Sequence, residues 1–189
     1  MPKVTQEHIE ARRTQILEGA RRALAKYGYD GATVVRLEEE TGLSRGAIFN
    51  YFHDKKDVFV ALAADVNRRY IEAIASGGFA GAIDELARES PEFLAVLAET
   101  EVRLYRDQDF TSRMESTSAE LLPKLEAWVE AQREAGALRT DLDWLDLARF
   151  GTIVINGLAL RLAGGDKTNL ETVTRLLEDA LRPQADAKR

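Results

Sequence analysis

The sequence predicts an all-α protein of about nine helices, and three observations carry that prediction. Apolar residues recur at helical spacing through most of the 189 residues. No stretch alternates apolar and polar residues between hairpin turns. The four prolines lie only at 2, 91, 123 and 183, while glycines and capping residues break the pattern at helix-length intervals.

The first helix is expected from about Thr5 to Tyr27, with Ile9, Ile16, Ala20, Leu24 and Tyr27 on one face and Arg12, Arg13, Arg21 and Arg22 beside it. Gly28 and Gly31 mark its exit. The second runs from an N-cap at Thr33 to Gly42, with Leu37 inward. The third starts after Ser44 and sets Ile48 and Phe52 four apart, on one side. Asp54 caps a fourth helix whose face carries Val58, Phe59, Leu62 and Val66, and which continues to about Ile74. Ser76, Gly77 and Gly78 then mark a boundary.

Five further segments follow at roughly 80–89, 92–107, 111–135, 142–163 and 169–181, read from the same periodicity. Pro123 falls inside the 111–135 pattern and predicts a kink or a helix boundary there. Thr168 and Glu171 have the spacing of a capping box in front of the last segment. The chain divides functionally into a head, 1–54, and a body, 55–189, with helix 55–74 as connector.

Composition narrows the function. Two Trp, five Tyr and seven Phe are enough to fill a core, and the absence of cysteine excludes disulfides and thiolate metal sites. The first residues lack the apolar run of a signal peptide, and no segment approaches ~18 uncharged apolar residues, so a cytoplasmic protein is expected. With only His8 and His53 and no cysteine, the chain shows no catalytic constellation, and no enzyme is expected. The net charge of −6 is unevenly shared. Residues 1–60 hold ten Lys/Arg against nine Asp/Glu, and the remainder sixteen against twenty-three. A phosphate backbone would attract the first part and repel the second.

Thr33 to Lys56 carries the sharpest signal. Two short capped helices joined at Gly42, stacked on the first helix, make a helix-turn-helix whose second helix enters the major groove of DNA. Arg45 is the long donor at its front, able to reach guanine O6 and N7. Gly46 and Ala47 let the backbone approach closely, and Asn50 follows one turn later. Thr33, Ser44, Tyr51 and Lys55 are read as phosphate holders. Lys55 in the first turn of a helix opposes the helix dipole, which a bound anion would explain. Each residue alone also has an ordinary reading as a cap, a core rim or a solvated charge.

These residues resemble the N-terminal domain of the TetR family of transcriptional repressors. The likeness begins at Gln15–Ala20 and Gly28–Thr33, continues through Thr41–Phe49, and reaches Tyr51, Phe52, Lys55 and Phe59. The resemblance implies a homodimeric, ligand-responsive repressor that leaves a double-stranded DNA operator when a small-molecule effector enters the body. It carries DNA contacts onto Thr33, Ser44, Arg45, Gly46, Ala47, Asn50, Tyr51 and Lys55. Phe49 departs from the family pattern, in which a tyrosine there grips phosphate. Val35–Glu39, Glu101–Leu104, Leu138–Asp141 and Gly157–Ala163 are similar to the aconitase-repressor branch. That similarity implies a small anionic effector such as a citrate–magnesium complex, with no cofactor otherwise required.

In the body, residues 150–163 are apolar in nearly every direction, so this helix is expected to be buried on all sides, partly against a second copy. Ile153, Leu158, Leu160, Leu170, Val173, Leu177 and Leu181 are the candidate dimer residues. Polar residues set among apolar ones would mark an effector pocket: Arg103, Arg149, Asn156 and Glu178, with Trp128 as a wall. An anion would favour Arg103 or Arg149, and a bridging metal Glu178 or Glu101. The rival reading is a dimeric ligand-binding or scaffold protein whose head no longer reads DNA. Retained Arg45, Tyr51 and Lys55 oppose it, and Phe49 supports it.

Overall fold

The computed structural model describes residues 6–104 and 106–183; the side chains at 101, 103, 104 and 118 lie outside the described residues. The described chain is helical in the order α1 Gln6–Gly31, α2 Val34–Thr41, α3 Arg45–Phe49, α4 Lys55–Ala87, α5 Pro91–Leu104, α6 Gln108–Ser118, α7 Leu122–Glu134, α8 Trp144–Ala163 and α9 Leu170–Leu181. The all-α expectation holds.

The chain forms two compact units: Met1–Val66 with Glu92–Thr117, and Asn67–Pro91 with Ser118–Arg189. In the first, Ile16, Ala20, Ala23 and Leu24 of α1 are buried, as are Leu37 of α2, Ile48 of α3 and Val58 and Phe59 of α4. Close approach of α1 and α2 depends on Gly19. A Cβ there would lie 2.4 Å from Thr41 Cγ2 and 2.9 Å from Thr41 Cα, so the two helices touch backbone to backbone. Val60, Phe110 and Met114 form a further cluster against which Tyr29 packs.

In the second unit, α4 folds back on itself at Gly78, whose φ of 65° is available to glycine at little cost. The two halves then meet through Arg69, which pairs with Glu85 at 3.0 Å and with the buried Glu89 at 3.3 Å. Thus the segments expected at 55–74 and 80–89 are the two arms of one broken helix. Phe79 meets Trp128 edge-on at 5.6 Å and packs over Gly151. The buried face of α8 is Leu147, Gly151, Ile155, Leu158 and Ala159.

Three local expectations are corrected. The segment 111–135 is two helices, α6 and α7, not one; the boundary that Pro123 predicts is there, with the proline in the first turn of α7, where it has no intrahelical N–H to lose. The cap of α9 is Asn169, whose side-chain Oδ1 accepts the Thr172 N–H at 2.9 Å, while the Thr168 hydroxyl is hydrogen-bonded to Asp166 at 3.1 Å. Nor is α8 buried on every side. Ile153 and Leu160 are 68% and 62% exposed and lie on the same side, seven residues apart.

Candidate nucleic-acid interface

The reading helix is placed by contacts that start at α1. Gln15 donates to the Thr41 carbonyl at 3.0 Å and Arg22 to that of Glu40, so side chains of α1 satisfy the last carbonyls of α2. Arg13 donates to the Tyr51 carbonyl at 3.1 Å and lies 4.6 Å from the Phe52 ring centroid, fixing the chain just beyond α3. These α1 residues hold the geometry without belonging to the outer face. Their sequence signal was only a run of polar residues beside an apolar stripe.

The turn between α2 and α3 is determined locally. Gly42 adopts φ 69°, ψ 19° and returns its N–H to the Glu38 carbonyl. Buried Thr41 donates its hydroxyl to Leu37 O at 2.7 Å and accepts the Leu43 N–H at 3.2 Å. Ser44 then caps α3 by accepting the Ala47 N–H at 3.3 Å, and Glu38 accepts the Arg45 N–H at 2.6 Å. Glu38 is a positioning residue that its distance in sequence from Arg45 conceals.

With Ile48 fully buried beneath, α3 turns Ser44, Arg45, Gly46 and Asn50 outward, and Ala47 is half-buried. A Cβ added at Gly46 would meet nothing within 4 Å, so nothing in this chain requires glycine there for space. The Arg45 guanidinium lies 5.8 Å from the Phe49 ring centroid. Asn50 is the C-cap of α3, so the helix itself ends two residues before the end of the expected segment 45–51. Thr33 is exposed at the front of α2 and accepts the Arg36 N–H at 3.4 Å.

Two expected holders also make bonds within the protein. The Tyr51 carbonyl is taken by Arg13, and its side chain is half-buried. Lys55 donates to the Tyr29 carbonyl at 2.9 Å, with its ammonium 5.1 Å and 5.3 Å from the ring centroids of Tyr29 and Phe59. The lysine in the first turn of α4 thus has an internal partner as well.

The first turn of α4 is also tied to α6. Asp54 caps α4 by accepting the Asp57 N–H at 2.7 Å and accepts Arg113 at 3.1 Å. Burial would raise the Asp54 pKa, but the Asp57 N–H, His53 and Arg113 together hold it below the ordinary value. Lys56 meets Asp109 at 2.8 Å and Asp107 at 2.9 Å, which raises its own pKa and lowers theirs.

The effector candidates are dispersed. Arg103 has its side chain outside the described residues. Trp128 is half-buried against Phe79. Arg149 is on the surface, paired with Asp146 one turn earlier at 3.2 Å, so it does not enter the interior. Asn156 and Glu178 are half-buried. A cleft of about 400 Å³ does open in the first unit, lined by Tyr29, Glu99, Val102, Arg106, Asp107 and Phe110; none of these was singled out from the sequence. No group of three or more His, Asp or Glu suited to a metal ion occurs among the described residues. No described helix is long and apolar enough to cross a membrane.

The dimer candidates separate in the same way. Leu158, Leu177 and Leu181 are buried within their own unit and Leu170 and Val173 are half-buried, leaving Ile153 and Leu160 on an open face. Leu176, missed in the sequence, is 61% exposed.

A capped helix-turn-helix in an all-helical chain defines the class: a DNA-binding transcription regulator. The model of bacterial regulatory proteins of the tetR family matches residues 16–62. Over 96% of its length the chain is 40% identical to the HTH-type transcriptional repressor Rv1474c of Mycobacterium tuberculosis, covering 99% of that protein. It is 39% identical to the HTH-type transcriptional repressor AcnR of Corynebacterium diphtheriae, again over 96% of this chain and 97% of that one. The fold matches that of GusR from Salmonella enterica with a TM-score of 0.72 at 17% identity, over 95% of this chain and 98% of that one. This chain therefore belongs to the TetR family of transcriptional regulators, whose members are not enzymes.

Proposed function

We propose that the protein is a homodimeric repressor that binds a palindromic operator through α3 and is released by a small-molecule effector held in the body. One observation carries the reading. Arg45, Gly46 and Asn50 stand outward together on a helix whose opposite side, Ile48, is fully buried. That face offers a bidentate donor, room for a close approach and an amide, the groups that read base edges. Arg45 reads guanine, while Thr33 and Ser44 present hydroxyls to phosphate. Tyr51 and Lys55 complete the set of phosphate holders.

One short helix spans few base pairs, so two copies related by a two-fold axis supply the specificity. Ile153, Leu160 and Leu176 form the apolar face on which they meet, and the half-buried Leu170 and Val173 flank it. In this reading the head is 1–54 and the body 55–189. The relationship to AcnR makes a small anion, such as citrate with magnesium, the first effector to test.

The test is selection of duplexes from a random-sequence pool by the purified protein, then titration of the recovered duplex with and without citrate and magnesium. The expected product is an inverted repeat with half-sites about one helical turn apart, bound by a dimer and released by the pair of additives. Recovery of no preferred duplex would favour the scaffold reading. Selective binding unaffected by the additives would leave the repressor and remove this effector.

A further inference from the structure

We infer that Val35 is a base-reading residue, packing its isopropyl group on the 5-methyl of a thymine next to the base read by Arg45. This rests on the operator-binding reading above and adds to it a residue outside the expected contact set.

Val35 is 61% exposed, the one large apolar side chain left open among the described residues of the head. Its surroundings show which way it faces. Leu37 and Thr41 point from α2 into the core. Arg36 and Glu40 turn toward α1 and its exit: Arg36 donates to Gly31 O at 2.7 Å and lies 4.1 Å from the Tyr27 ring centroid, while Glu40 meets Lys26 at 3.3 Å. Glu38 leaves on the other flank, where it accepts the N–H of Arg45. Three residues before Glu38, Val35 occupies the adjoining outer strip of α2, on the flank that carries the front of α3.

Neither folding nor solubility calls for valine at such a place. A β-branched residue is a weaker helix former than alanine, lysine or glutamate, and most of the side chain is left uncovered by its own chain. A duplex in the groove supplies what is missing. The thymine methyl is the apolar group on the base edges of the major groove. About one helical turn (~5.4 Å) along α2 from Val35, Glu38 holds the Arg45 N–H, so Val35 and the front of α3 face the same stretch of groove.

The test uses the duplex that the wild-type protein recovers from a random pool, with each thymine replaced in turn by deoxyuridine in both half-sites. At one thymine per half-site, within two base pairs of the position whose preference relaxes in Arg45→Ala, loss of the methyl should weaken wild-type binding about three- to fivefold per half-site, or about nine- to twenty-fivefold with both replaced. Val35→Ala should bind the thymine duplex more weakly by a similar factor and no longer distinguish it from the deoxyuridine duplex. Alanine is the better helix former, so the variant retains its fold, and unchanged affinity for a scrambled duplex checks this. Equal deoxyuridine penalties in wild type and Val35→Ala at every position would overturn the assignment while leaving DNA reading intact. Failure of the wild type to select any duplex would overturn the reading beneath it, and the assignment with it.

Discussion

The outer face of α3 and the outer face of α8 follow opposite rules. Over a buried Ile48, α3 presents Ser44, Arg45, Gly46 and Asn50; over buried Ile155 and Leu158, α8 presents Ile153 and Leu160. The first face is polar or bare and suits a hydrated polyanion. The second is dry and suits another apolar face. Because both helices have well-buried inner sides, burial alone does not tell them apart. The chemistry left outside does, and the proposal gives DNA to one and a second copy of the chain to the other.

Neighbouring leucines on α9 offer the hardest test of that contrast. Leu177 is 3% exposed and Leu176 61% exposed. Leu177→Ala should cost about 2–5 kcal/mol of stability in urea unfolding, through the cavity it leaves. Leu176→Ala should change the stability of a dilute, dissociated sample by about 0.5 kcal/mol or less and instead weaken self-association in sedimentation. Similar losses of stability in both would break the distinction between an inner and an outer face.

Next in size is the crossing that supports the head. Gly19→Ala would drive a methyl into the backbone of Thr41, so about 1–3 kcal/mol of stability should be lost, and DNA binding with it. An unchanged thermal midpoint would show that α1 and α2 have room to part. The caps come third. Ser44→Ala and Thr33→Ala should each cost about 0.5–2 kcal/mol. If their hydroxyls also hold phosphates, affinity should fall alike on all duplexes; a change in base preference would move them into the reading set.

The smallest effect concerns the tie between α4 and α6. Lys56 first, and then Arg113, hold the Asp109 carboxylate below its ordinary value of 3.8. A lowered carboxylate stabilises the fold fully above its unfolded value and loses that contribution as pH falls through the lower, folded value. Asp109→Asn should therefore be slightly less stable than wild type at neutral pH, and the gap should close below about pH 4. A gap that persists in acid would mean that the pair contributes through packing instead of charge.

What the sequence disclosed follows from the range of the interactions involved. The caps at Thr33, Ser44 and Asp54 and the left-handed Gly42 act within three or four residues, so the head was legible in order and phase. Pro123 was ambiguous because continuous apolar spacing through Leu121, Leu122 and Leu125 hid the break that it accompanies. Thr168 and Asn169 are both competent caps, and only the bond from Thr168 to Asp166 separates them. Lys55 was out of reach, since its partner, the Tyr29 carbonyl, lies 26 residues earlier. For α8 the pattern showed an apolar helix but not which side its own chain would cover. That is decided by Phe79 packing on Gly151.

The most direct measurement compares wild type with Arg45→Ala on the selected duplex, on duplexes altered at single base pairs, and on a scrambled one. If α3 reads sequence through Arg45, the variant should lose about 1–3 kcal/mol on the selected duplex, tolerate substitutions at one position per half-site, and bind the scrambled duplex nearly as before. Equal losses on all three would make Arg45 a phosphate contact, and no loss on any would remove α3 from the interface.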